Sequence, residues 1–206
     1  MGRNLLCSTL MAAAAVGGVV KAEEAPNPNQ VTIRGIAYAG SGCKAGTVAN
    51  LLAPDAKAFT LLFDDYVAEA GPGVALSAGR KNCQIAVDLR FPSGYSFSIM
   101  DVDYRGYAQI DRGASGVQQS TYYFSGQARQ AVMRSTYVGP RDDNYRIHDR
   151  LGLEAVVWSP CGMSRALNMN TEVRVTARRG ARALMTTDSI DGQLTHVYGI
   201  RWRRCN

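Results

Sequence analysis

The chain has 206 residues, 46% of them hydrophobic and 19% charged, with a formal charge of +6, two histidines, five cysteines, ten tyrosines and twenty-one glycines. This balance excludes a disordered, collagen-like or multi-spanning protein and fits one soluble globular domain whose core buries roughly 70% of the unfolded surface. The length left after any leader excludes a tandem of two full domains.

Residues Met1 to Ala22 carry the three parts of a secretory signal peptide: Arg3, an uncharged apolar stretch from Leu5 to Val20, and Val20-Lys21-Ala22 ahead of Glu23. Val20 and Ala22 suit signal peptidase, so cleavage after Ala22 is expected. The stretch is too short, and too rich in Ala and Gly, to make a good bilayer-spanning helix, and no later segment approaches that length. A secreted, extracellular protein with no membrane span after cleavage is expected, and Cys7 leaves with the leader. Glu23 to Gln30 is polar and rich in Pro and Asn, which reads as a tether ahead of a domain over 31–206.

From Val31 onward, short apolar runs are punctuated by Gly, Pro and Asp, with no helical period. Strands are expected over Val31–Ala39, Phe59–Ala68, Cys83–Phe91, Val117–Phe124, Ala131–Val138 and Leu153–Ser159. The clearest is Cys83–Phe91, in which Cys83, Ile85, Val87, Leu89 and Phe91 alternate with more polar neighbours. Pro92-Ser93-Gly94 then supplies turn chemistry and Tyr95, Phe97 and Ile99 resume the alternation, which predicts a β-hairpin. The apolar parity changes after Ile99, so a bulge is expected between Met100 and Asp103. Val173 and Val175 alternate with Glu172, Arg174 and Thr176, and Leu194, His196, Tyr198, Ile200 and Trp202 share one parity beyond Asp191-Gly192. The pattern predicts an all-β antiparallel sandwich or jelly roll of about nine or ten strands.

Four cysteines remain in the mature chain: Cys43, Cys83, Cys161 and Cys205. An even count behind a signal peptide implies two disulfides. Three connectivities are open; Cys43 with Cys83 and Cys161 with Cys205 is favoured, because each pair encloses one compact stretch. Spacings this wide argue against a zinc knuckle or a redox site.

Candidate sites are sparse. Gly40, Gly42 and Gly46 do not have the spacing of a dinucleotide loop, and a disulfide-anchored turn explains them better. No G-x-S-x-G elbow occurs, and His148 and His196 are the only histidines, His196 on a core parity. Asp142-Asp143-Asn144 and His148-Asp149 make the densest polar group, expected in a loop after Gly139-Pro140. Asp142, Asp143 and Asp149 are the ligands expected if that loop takes calcium, although EF-hand spacing is absent, and no other cofactor is expected. Asp64-Asp65 and Asp188 to Asp191 are weaker versions.

A carbohydrate site would use the polar face of the strand around Asn168, Asn170, Glu172 and Arg174, where alternate residues stand about 6 to 7 Å apart. Tyrosines could stack on sugar rings, with Tyr104 the nominated platform; Tyr122 and Tyr123 are adjacent, so one of them must be core. The positive excess lies between Cys161 and Asn206. There Arg178, Arg179 and Arg182 cluster, and Arg201, Arg203 and Arg204 surround Trp202, a pattern that suits an anionic polymer or a solvated face equally. Nucleic acid is not expected, since no recognisable binding module is present.

Arg80-Lys81-Asn82-Cys83-Gln84, Asp103-Tyr104-Arg105-Gly106, Tyr122-Tyr123-Phe124, Gly139-Pro140, Trp158-Ser159-Pro160-Cys161-Gly162 and Leu167 to Glu172, together with Gly40-Ser41-Gly42-Cys43, resemble a family of small secreted bacterial and fungal proteins catalogued as domain of unknown function 4360. The similarity runs from about Ile33 to Cys205. It implies a secreted, disulfide-bearing protein of one domain and transfers no activity. The expected function is a non-enzymatic sandwich binding a surface or extracellular polymer such as carbohydrate. A secreted polysaccharide hydrolase is the alternative and a structural or effector protein the third reading; the poverty in histidine and the missing nucleophile motif favour binding.

Overall fold

The computed structural model describes residues 26–150, 158–161, 166–187 and 194–205. The expected leader, most of the expected strand Leu153–Ser159 and the Asp188 to Asp191 turn lie outside the described residues, as do the side chains of His148, Asp149 and His196. Twelve strands are described: β1 (Thr32–Ala39), β2 (Val48–Leu52), β3 (Ala58–Phe63), β4 (Val67–Ala70), β5 (Arg80–Arg90), β6 (Tyr95–Ile110), β7 (Ala114–Phe124), β8 (Gln130–Val138), β9 (Arg141–Arg150), β10 (Leu167–Ala177), β11 (Ala183–Thr186) and β12 (Leu194–Arg204). All pair antiparallel, in a five-stranded sheet of order β1-β5-β10-β7-β8 and a seven-stranded sheet of order β2-β3-β12-β6-β11-β4, with β9 also on β6. No helix among the described residues is long and apolar enough to cross a membrane.

The two sheets make the all-β antiparallel sandwich that the alternation predicts. Along β10 the odd residues Leu167, Met169, Thr171, Val173 and Val175 are buried while their even neighbours reach solvent. Strand β7 alternates with the same strictness from Ala114 to Phe124. Period-two burial on one face is the signature of a strand with a dry and a wet side. Between the layers, Phe97 packs edge-on against Phe124 and Phe91 and tilted against Trp202.

Three expectations about connectivity change. The turn 92–94 is not a hairpin: β5 lies in the five-stranded sheet and β6 in the other, so the turn is an arch between layers. Phe91 then reaches the ring of Trp202 at 5.5 Å. The same Pro-Ser-Gly chemistry and flanking alternation serve both connections, so sequence alone does not separate them. The run Phe59–Ala68 is two strands, broken at Asp64-Asp65, where Lys44 Nζ reaches Asp65 at 2.6 Å. β3 pairs with β12 and β4 with β11, and β12 and β11 take successive stretches of one edge of β6, so the broken halves run in line. The expected acidic loop at 141–150 is strand β9, paired with β6 from Arg141↔Ile110 to Arg150↔Asp101.

The expected bulge is present. Tyr198 pairs with Val102 and Ile200 with Ile99, so Met100 and Asp101 together oppose Gly199. The extra residue swaps the faces of β6: Phe97 points into the core before it, and Tyr104, Ala108 and Ile110 after it.

Gly106 sits where β6 exchanges β12 for β11. A Cβ there would lie 2.2 Å from the Thr186 carbonyl oxygen and 2.6 Å from the Tyr145 ring. Tyr145, its cross-strand partner, uses that space to cross β6 and donate its hydroxyl to Thr186 O at 2.6 Å. Gly106→Ala is therefore expected to cost about 1–3 kcal/mol in urea unfolding, the usual penalty of overpacking, because backbone cannot step aside. An unchanged midpoint would show that the β6–β11 junction is looser than described.

Candidate functional site

The wet face of the five-stranded sheet is built by cross-strand register. β10 is its central strand, and each even residue stands between an outward residue of β5 and one of β7. Asn168 lies between Ala86 and Tyr123, Asn170 between Gln84 and Thr121, Glu172 between Asn82 and Gln119, and Arg174 between Arg80 and Val117. The four residues predicted to share a face therefore do so, at the middle of the sheet.

Their partners divide them. Glu172 has both carboxylate oxygens engaged, Oε2 by Arg80 Nη2 at 2.5 Å and Oε1 by Arg174 Nη2 at 2.7 Å, and only 17% of its side chain is exposed. Asn168 donates Nδ2 to Ser125 Oγ at 2.8 Å. The Asn170, Gln84, Gln119 and Thr121 side chains, in contrast, make no hydrogen bond among the described residues, and neither does the Tyr123 hydroxyl. On the β1 side of β10 the outward positions beside Gln84 are the small Ala37, Ala39 and Ala86, whereas β7 carries Tyr123. The step from alanine to tyrosine leaves a shallow depression of about 240 Å³, floored by those alanines and walled by Tyr123, Asn168 and Asn170.

Tyr104, expected as an exposed aromatic platform, is 1% exposed. The bulge in β6 turns it inward, where its hydroxyl bonds that of Tyr122 across the layers. Of the adjacent pair, Tyr122 is core and Tyr123 faces out, half-buried beside Asn168. Tyr123 is thus the aromatic of the face that the strand pattern left undecided; strict alternation from Val117, on the wet side, assigns it once the register of β7 is fixed.

The segment expected as a loop with the calcium ligands is strand β9. Asp142 and Asp143 are successive residues of β9, so their side chains leave on opposite faces. Asp142 accepts the Tyr107 hydroxyl, which holds that phenol above its ordinary range. Asp143 takes Arg141 through Nε at 2.5 Å and Nη2 at 2.9 Å. The side chain of Asp149 lies outside the described residues, and no group of three or more His, Cys, Asp or Glu among the described residues is placed to hold a metal ion. The weaker pair Asp64-Asp65 has Lys44 on Asp65.

The arginines around Trp202 do not present it. Trp202 is fully buried and donates Nε1 to Ala56 O at 2.9 Å, while Arg203 stacks 4.4 Å above the Trp158 ring. The Gly40–Gly46 turn is disulfide-anchored as expected, with Gly42 N donating to Asn82 O at 2.9 Å beside the Cys43–Cys83 bridge. Cys161 pairs with Cys205, which completes the favoured connectivity.

Comparison with known proteins places the chain by sequence more firmly than by shape. A fungal relative from Arthroderma benhamiae, described as an uncharacterized secreted protein, is 47% identical over 182 residues, covering 88% of this chain and 74% of the relative. Among solved structures, the carbohydrate-binding module TmCBM61, determined with beta-1,4-galactotriose, matches 90% of this chain and 100% of its own at 9% identity and a TM-score of 0.28. The enzymatically active domain of bacteriophage CBA120 tailspike protein 4 matches 87% of this chain at 12% identity and a TM-score of 0.25, and the chain spans only 20% of it. The two disulfides and the secreted relative agree on an exported protein. The family model for a domain of unknown function, DUF4360, matches residues 29–205, and the chain belongs to that family.

Proposed function

We propose that this secreted protein binds an extracellular polysaccharide on the outer face of its five-stranded sheet and does not cleave it. The observation that carries this reading is the band of unengaged hydrogen-bonding side chains, Gln84, Asn170, Thr121 and Gln119, next to the Tyr123 ring and the alanine-floored depression. Amides offer a donor and an acceptor within one group, which suits sugar hydroxyls that do both. The Tyr123 ring offers an apolar wall for the carbon face of a pyranose. The strands fix the backbone beneath these groups before any ligand arrives, so the ordering cost of binding is confined to their side chains. Turnover by paired carboxylates would need an acid free to move a proton. Glu172, the acid at the centre of the face, has both oxygens held by arginine instead.

A glycan array read beside a reducing-sugar assay tests the reading. Retention without product is expected, and product release would replace it with the hydrolase reading. Tyr123→Ala is expected to weaken retention about tenfold, the loss of roughly 1.5 kcal/mol of ring contact. Asn170→Ala is expected to weaken it about fivefold, near the net worth of one hydrogen bond. Both variants should unfold within about 0.5 kcal/mol of the parent, being surface changes outside any network. Undiminished retention by both would refute the site.

A further inference from the structure

A second concavity lies where the polar face ends. It encloses about 760 Å³ between the 71–79 loop, the end of β10 and the β10–β11 turn. Its apolar lining is Pro72, Val74, Val175 and Ala177, with Leu76, 99% exposed, beside them. Its walls are basic: Arg80, Arg174, Arg178 and Arg179 line it, and Glu69 is the acidic residue among the described residues that does so. Arg80 and Arg174 share Glu172, but Arg178 and Arg179 make no ion pair among the described residues. Arg112, on the adjoining 111–113 turn, adds a third guanidinium without an ion pair among the described residues.

These cations are held on a stapled pair of turns. Arg178 N donates to Gly113 O at 3.2 Å, Asp111 N to Arg182 O at 3.0 Å, and Arg182 N to Asp111 Oδ2 at 2.8 Å. These bonds fix the backbone of the two turns and so the origin of each arginine side chain, and the planar guanidinium can take a carboxylate in fork geometry. Arg80 and Arg174 belong both to this groove and to the polar face, so the groove continues the row that begins at Asn168. A lining that mixes apolar and cationic side chains complements a ligand with carbon faces and regularly placed anions.

We propose that this groove binds the carboxylate groups of an acidic, uronate-bearing polysaccharide, with Arg178 and Arg179 as the selective residues. The proposal rests on the sheet-face reading, since one polymer running along β10 would fill both. Continuity with that face favours a glycan over an acidic peptide or an anionic lipid surface.

The test uses the full exported chain, oligogalacturonate and its methyl ester of equal length, titrated at about 0.05 and 0.5 M salt, where screening differs about threefold in range. The parent is expected to bind the acid form about tenfold more tightly at low salt and to lose most of that preference at high salt. Arg178→Ala with Arg179→Ala should abolish the preference while leaving the melting curve and the affinity for the ester unchanged. Tyr123→Ala should weaken acid and ester alike and leave their ratio intact. Equal binding of acid and ester by the parent, or an unchanged ratio in the arginine variant, overturns the groove. Polyglutamate or phosphatidylserine vesicles bound as tightly as oligogalacturonate, with the same dependence on the two arginines, also overturn it in favour of those partners. If the arginine variant loses acid binding while Tyr123→Ala changes nothing, the groove stands and the sheet-face reading fails.

Discussion

Removing the Cys43–Cys83 bridge, with both cysteines replaced by alanine, is expected to lower the unfolding free energy by about 4–5 kcal/mol. The bridge closes a sequence separation of 40 residues, and chain-entropy scaling for a loop of that size gives a loss of this order. Its surroundings add to that. Cys43 and Cys83 are 1% and 0% exposed, and Cys83 sits within β5 opposite Thr171 of β10. Thr171 in turn bonds the hydroxyl of Tyr66 at 2.9 Å, whose burial pushes its phenol well above the ordinary range. The bridge thus ties the 40–46 turn to the central strands over a buried polar contact. The second bridge, Cys161–Cys205, spans a similar separation of 44 but has an exposed Cys161 and a half-buried Cys205, so its removal should show the entropic part alone. Thermal melts should fall on the order of 10 °C for the first pair, given roughly 2–4 °C per kcal/mol at this size. A smaller loss for Cys43–Cys83 than for Cys161–Cys205 would contradict the burial argument.

What was legible in the sequence follows from which signals are local. The even face of β10 was readable because Val173 and Val175 set a parity that Asn168, Asn170, Glu172 and Arg174 oppose, and side-chain alternation in a strand needs no partner to define it. The bulge in β6 was readable for the same reason, as a change of parity after Ile99. The cysteine pairing was favoured correctly because each bridge closes a nearby stretch. Pairing between strands was not readable. Whether 92–94 joins neighbours or crosses between layers depends on which strand lies beside β5, and that is settled by β1 and β10, far away in the chain. Strand β9 was hidden by Asp142-Asp143-Asn144, residues that strands disfavour on average but that the exposed end of an edge strand tolerates. Tyr104 is inward because of the bulge: the parity that the extra residue switches is the one that sends Tyr104 into the core. The arginine groove draws on residues 71–80, 112 and 174–180, and only the run Arg178-Arg179 stands out locally.

Trp202→Ala is expected to cost about 3–5 kcal/mol, the range for losing a buried large aromatic. Trp202 is 0% exposed and meets Phe97 at 5.6 Å and Phe91 at 5.5 Å, so truncation opens a cavity in the aromatic cluster that joins the layers. Its Nε1 proton also goes to Ala56 O at 2.9 Å. Ala56 itself is buried and adopts φ 56°, a left-handed conformation that costs a residue with a Cβ roughly 1–2 kcal/mol, so the indole helps hold the 53–57 turn in place. Trp202→Phe separates the two contributions: it keeps most of the ring volume, loses the donor and should cost roughly half as much, about 2 kcal/mol. Urea unfolding of the two variants is the measurement. Equal losses would mean that the hydrogen bond to Ala56 carries the effect and the cavity little. Losses under about 1 kcal/mol for both would place Trp202 at the periphery, as one aromatic within a basic surface of Arg201, Arg203 and Arg204, and would reopen that stretch of β12 as a binding surface.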